Sequence, residues 1–157
     1  MIRLSRITDY GIVLMAHLAG CDDDQAHNAR EVAGATQLPR PVVGKILKSL
    51  ARGGLLDSQR GAKGGYSLAR PPEEISVAEM VHALEGPIGL TECTMHPGQC
   101  SQEPRCDVRE PWQKINRAVH DALANVTLAD LARPKAPPGT LPIIRNAADT
   151  PSIRGLE

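Results

Sequence analysis

Three of the four cysteines, Cys93, Cys100 and Cys106, fall within fourteen residues, with six and five residues in the two gaps. Clustered thiols of this kind read as metal ligands in a reducing compartment, here the cytoplasm, rather than as an evenly paired disulfide framework. Structural zinc usually takes ligand pairs about two to four residues apart. Neither gap fits that spacing, and no histidine pair follows. Pro97, Gly98 and Pro104 keep the stretch non-helical, so a wide loop can wrap a larger group. Soft thiolates suit iron–sulfur clusters, which commonly have four ligands. Three cysteines leave one position for a weaker ligand and a chemically labile site. A structural zinc or a metal-free thiol switch stays open as the alternative, and spacing does not choose between 2Fe–2S and 4Fe–4S. Cys21 stands apart, beside Asp22-Asp23-Asp24, and reads as an incidental thiol.

A second chemistry lies upstream. The net charge is zero, yet residues 1–70 carry ten Lys/Arg against six Asp/Glu. Between Arg40 and Arg70, the seven cations Arg40, Lys45, Lys48, Arg52, Arg60, Lys63 and Arg70 face only Asp57. A local basic stretch in a neutral chain is the footprint of a nucleic-acid surface. Enzyme chemistry has no comparable signature. There is no Cys-x-x-Cys, nucleophile elbow or phosphate loop, and the five histidines are scattered.

These residues need elements to position them. The chain has 157 residues, 41% of them hydrophobic and 23% charged, which suits an ordinary folded domain rather than wholesale disorder. Its aromatics are Tyr10, Tyr66 and Trp112 alone, which argues against base-stacking platforms and for helices packed on aliphatic side chains. Arg3, Arg6 and Leu18-Ala19-Gly20-Cys21 imitate a lipoprotein signal. The apolar run between them, Gly11 to Ala16, is shorter than the ~7–15 residues such a signal needs. No membrane span is expected. Leu4, Ile7, Gly11, Leu14 and Leu18 instead form the stripe of an amphipathic helix.

Asn28 with Glu31, and Ser76 with Glu79, are capping-box starts of further helices. Between them, Pro41 opens a helix with Val43, Ile46, Leu47 and Leu50 inward, and Gly53-Gly54 closes it. Its outer face carries Arg40, Lys45, Lys48 and Arg52. Two short strands follow around Arg60-Gly61-Ala62-Lys63-Gly64-Gly65, where glycine lets the backbone approach a sugar–phosphate edge. Residues 87–107 show no helical or strand period. From Val108, the positions Val108, Trp112, Ile115, Val119, Ala122 and Val126 step by four and three, a heptad seam able to pair two copies.

The expected fold is mainly α with a small β-hairpin wing: a winged helix-turn-helix followed by a long dimerisation helix. The expected divisions are a DNA-binding domain over 1–86, a cysteine loop over 87–107, a dimerisation helix over 108–133 and a disordered tail over 134–157. Arg40, Lys45, Lys48, Arg60, Lys63, Gly64 and Gly65 are the expected contacts to a double-stranded DNA operator.

The opening Arg3-Leu4-Ser5-Arg6-Ile7-Thr8-Asp9-Tyr10, the stretch Lys45-Ile46-Leu47-Lys48-Ser49-Leu50, the wing Arg60 to Tyr66 and the cysteine loop resemble the IscR/NsrR-type family. These are dimeric winged-helix transcription regulators that carry an iron–sulfur cluster. Thr91-Glu92-Cys93 and Val126-Thr127-Leu128-Ala129-Asp130-Leu131 look closest to the branch that regulates SUF cluster-assembly genes. The resemblance spans residues 1–133. It implies a homodimer that binds operator DNA, with Cys93, Cys100 and Cys106 on the cluster. Some relatives supply a further ligand from a His three residues after the last cysteine, where this chain has Arg109. Others use an aspartate in the first helix, reaching across the dimer, which implies Asp9 here. His96 and Asp107 are the alternatives within the loop.

Overall fold

In the computed structural model, which describes residues 4–21, 25–61 and 64–132, Ser5 opens helix α1 (Arg6–Ala19) by accepting a hydrogen bond from the Thr8 N–H. The buried face of α1 is Thr8, Gly11, Leu14, Met15 and Leu18. It differs from the expected stripe at its start. Leu4 precedes the helix and is exposed, while Thr8 is fully buried. Thr8 is tolerated there because its hydroxyl donates to the Glu85 carboxylate.

Helix α2 (Ala29–Thr36) starts at the expected capping box of Asn28 and Glu31 and ends at Gln37 in the left-handed conformation. After the short Leu38-Pro39 link, α3 (Arg40–Arg52) begins. Pro41 sits in its first turn, and Val43, Ile46, Leu47 and Leu50 are buried. Strands β1 (Leu56–Gln59) and β2 (Gly65–Leu68) pair antiparallel, with Leu56 opposite Leu68 and Gln59 opposite Gly65. His27 exchanges two backbone hydrogen bonds with Tyr66, of 2.9 and 2.8 Å, so the loop before α2 flanks the hairpin on its other side.

A 3-10 turn at Pro72–Glu74 leads into α4 (Val77–Glu85), whose capping box joins Ser76 and Glu79. Residues 87–107 are less irregular than expected. They contain a one-turn helix α5 (Glu92–Met95) and a 3-10 turn at Glu103–Arg105, yet none of them is fully buried. The long helix α6 (Arg109–Ala124) also has no buried residue. Beyond it the chain returns to the core. The Val77 N–H donates to the Val126 carbonyl, the Leu128 N–H donates to the Ile75 carbonyl, and α7 (Leu128–Ala132) seats a fully buried Leu128.

One apolar core unites these parts, with Leu14, Met15, Ile46, Leu47, Met80 and Leu128 at its centre. It fixes α3 and the hairpin relative to α1 and α4. Among the described residues, no helix is long and apolar enough to cross a membrane. Lys63 and the tail over 134–157 lie outside the described residues.

Candidate nucleic-acid interface and cysteine loop

Helix α3 is amphipathic, so burial of one face decides where the other points. With Val43, Ile46, Leu47 and Leu50 inside, Arg40, Lys45, Lys48 and Arg52 are exposed. Lys45, Lys48 and Arg52 line a groove of about 500 Å³ with Ser58 of β1 and Tyr66 of β2. The basic helix face and the hairpin thus share one concave surface. Among the described residues, Arg40, Lys45, Lys48, Arg52 and Arg60 form no ion pair with an acid. Their charge is available to phosphates.

Arg60 is exposed at the end of β1, next to Gly61 at φ 116°. The following glycines have packing reasons of their own. A Cβ on Gly64 would fall 2.4 Å from the Gln59 carbonyl oxygen, and one on Gly65 would fall 2.5 Å from the His27 carbonyl. The wing closes on itself and on the loop before α2 only because both side chains are absent.

The cysteine loop is held by α6. The Asn116 side chain accepts from the Leu90 N–H at 3.1 Å and donates to the Ile88 carbonyl at 3.2 Å. It satisfies that backbone as a neighbouring strand would. Cys93 sits in α5, its sulfur 3.2 Å from the Thr91 hydroxyl. It borders a cleft against Gln113, Asn116, Arg117 and His120 of α6. The Cys100 carbonyl accepts from the Glu103 N–H, and the Cys106 carbonyl accepts from the Arg109 N–H at the head of α6. Glu103 pairs with Arg109 at 2.7 Å and accepts from the Gly98 N–H at 2.7 Å. Asn116 and Glu103 carry no sequence motif, which is why residue spacing alone did not find them.

Cys93, Cys100 and Cys106 are free and half-buried thiols. As a donor set they fit an iron–sulfur cluster, being soft ligands on one loop with a vacancy for a weaker fourth. Among the described residues, no three His, Cys, Asp or Glu side chains are grouped so as to hold a metal ion. The loop within one chain therefore presents the thiols without closing them on a common centre. Asp9 is exposed on α1, while His96 and Asp107 are exposed at the loop itself. Cys21 lies elsewhere, in a cleft with His27, Arg70 and Pro71.

Glu85 joins the last turn of α4 to the first turn of α1. Its carboxylate accepts from the Thr8 hydroxyl and from the Ser5 N–H, the latter at 2.9 Å. These two bonds hold the carboxyl below its ordinary value of 4.5.

Residues 4–134 match Rrf2, a family described as iron-dependent transcriptional regulators. The HTH-type transcriptional regulator NsrR of Geobacillus kaustophilus is 29% identical over 136 residues, covering 86% of this chain and 92% of that protein. Among solved structures, CymR, the global cysteine regulator of B. subtilis, superposes with a TM-score of 0.65 at 30% identity, covering 84% of this chain and 97% of that one. T. potens IscR gives a TM-score of 0.60 at 28% identity, covering 83% and 85%.

Proposed function

The chain belongs to the Rrf2 family of transcriptional regulators, and from that premise we propose that it is a homodimeric, DNA-binding regulator that reads iron–sulfur cluster status. The observation that carries the DNA-binding half is the basic face of α3, without an acidic partner among the described residues and continuous across one groove with the hairpin. An α-helix fits a major groove ~12 Å wide. With α3 there, Lys45 and Lys48 meet phosphates or base edges, and the wing brings Arg60 to the adjacent backbone or minor groove. The exposed Val108, Trp112 and Ile115 on and beside α6 supply the apolar seam for a second copy.

The sensing half rests on the three thiols and on the family resemblance. Cys93, Cys100 and Cys106 would hold a 2Fe–2S or 4Fe–4S cluster, with Asp9 of the partner subunit as the fourth ligand. When bound, the cluster supplies a redox-active and chemically labile tie across the loop. The chain's own residues do the coupling. Asn116 and Arg109 fasten the loop to α6, and Glu85 fastens the end of α4 to the start of α1, on which α3 rests. Genes for SUF-type cluster assembly are the proposed targets, and the cytoplasm the proposed compartment.

The test is purification without oxygen, with absorption spectra and iron and sulfide counts, followed by selection of binding sites from a random duplex pool. We expect a coloured dimer with stoichiometric sulfide whose affinity for the selected duplex changes when the cluster is removed. Stoichiometric zinc without sulfide would replace the cluster with a structural metal. A metal-free chain whose DNA affinity follows thiol oxidation would make it a thiol switch. No selected duplex at all would defeat the DNA-binding half.

A further inference from the structure

Between Cys100 and Cys106, one carboxylate ties together several parts of the loop. Glu103 Oε2 accepts from the Gly98 N–H at 2.7 Å, and Oε1 meets Arg109 Nη2 at 2.7 Å. The backbone of the same residue donates to the Cys100 carbonyl at 3.1 Å and accepts from the Cys106 N–H at 3.5 Å. One residue therefore contacts the turn before Cys100, both cysteines and the first residue of α6. Its side chain is only 9% exposed. A carboxylate that far from water is costly unless paired and hydrogen-bonded. Here both oxygens are engaged. No residue over 87–107 is fully buried, and although Ile88 packs against the core, the stretch around Cys100 and Cys106 relies on polar contacts.

We infer that Glu103 is the positioning residue for the Cys100 and Cys106 thiols, with Arg109 as its anchor on α6. The inference rests on the reading that the three cysteines act as one site. It separates them into two groups. Cys93 is placed by α5, the Thr91 hydroxyl and the Asn116 clamp on residues 88 and 90. Cys100 and Cys106 depend on Glu103. Opening the Glu103–Arg109 pair loosens residues 98–105 against α6, leaves only the backbone bond from Arg109 to hold Cys106 there among the contacts described, and leaves Cys93 in place.

The experiment uses the full chain with Glu103→Gln, Arg109→Ala and Arg109→Lys. In the reduced, metal-free protein, iodoacetamide labelling of each thiol is timed by mass spectrometry, which reads how often the loop opens locally. Glu103→Gln and Arg109→Ala should speed labelling of Cys100 and Cys106 about three- to tenfold, the scale of a partly exposed charged pair. Cys93 and Cys21 should keep their rates, and Arg109→Lys should restore most of the protection. A cadmium titration, followed by thiolate-to-metal absorption, should weaken by a similar factor in the first two variants.

Unchanged labelling of Cys100 and Cys106 would overturn the assignment. So would equal acceleration of all four thiols, which would mean general loosening. The two readings fail separately. A wild type without iron or sulfide, but with the selective labelling effect, would remove the cluster and keep the role of Glu103. A normal cluster with unselective labelling would do the reverse.

Discussion

Lys48 and Arg60 are both exposed cations, and in the proposed docking on DNA they would contribute differently. Lys48 projects from the middle of α3 beside the groove to the hairpin. If it meets a phosphate, Lys48→Ala should lower affinity for all duplexes and reduce the salt slope by about one unit. Arg60 lies at the wing, where a guanidinium can meet a base edge. Its loss should cost ~1–3 kcal/mol and relax sequence preference. Binding isotherms at several salt concentrations, on selected and random duplexes, distinguish the two. Glu85 contributes to the pH dependence of stability. The Thr8 hydroxyl and the Ser5 N–H depress its carboxyl in the folded chain, so its contribution is present above the unfolded value and fades as pH falls through the lower, folded one. The stability gap between wild type and Glu85→Gln should therefore be widest near neutrality and close in acid. Urea melts across that range would show a constant gap if the carboxylate were irrelevant. Glu79 is depressed too, its burial outweighed by bonds from Ser76 and Arg70, so Glu85→Gln should keep some acid sensitivity.

At the scale of elements, the hairpin is narrow and depends on close backbone approach. In Gly65→Ala, the new methyl would meet the His27 carbonyl at 2.5 Å. The His27–Tyr66 bridge must then open or β2 must shift. Operator affinity should fall with little change in helix content, which duplex binding and far-UV circular dichroism read together. An unaltered affinity would show that the wing is not part of the contact. The solvent-facing seam of α6 makes a second demand. Trp112 is 39% exposed and Ile115 47%, large apolar surface that a helix does not usually leave in water. Ile115→Glu places a charge on that seam and should convert a dimer to a monomer in sedimentation experiments. A dimer that survives the change would place the contact elsewhere.

For the whole molecule, the important fact is that the chain leaves the core through the cysteine loop and α6, then re-enters it at Leu128. Backbone bonds from Val77 to Val126 and from Leu128 to Ile75 close that circuit. Helix α6 is thus tied at its end to the core that carries α3 and the hairpin, and to the cysteine loop by Arg109 and Asn116. Leu128→Ala would empty a fully buried position and cost about 2–5 kcal/mol. It should also weaken the link between loop and DNA. If the proposed cluster is present, the expected result is a lower urea midpoint together with a smaller difference in operator affinity between loaded and cluster-free protein. A lower midpoint with the full difference retained would mean that coupling bypasses α7.

The sequence by itself determined what local physics can encode. The caps Asn28–Glu31 and Ser76–Glu79, the inward stripe of α3 and its basic outer face all arise from residues within a turn or two of each other. The same holds for the hairpin and for the exposed seam of α6. Only the tertiary structure decided the rest. Leu4 precedes α1 and stays exposed, while Thr8 can be buried because the Glu85 carboxylate, 77 residues away, accepts from its hydroxyl. Asn116 holds backbone 26 and 28 residues earlier, and Gly65 must be small because the His27 backbone lies against it. Helical and strand periods say which face is apolar. They carry no information about which distant polar group will arrive at that face, so contacts made only when the core closes leave no periodic trace in the chain.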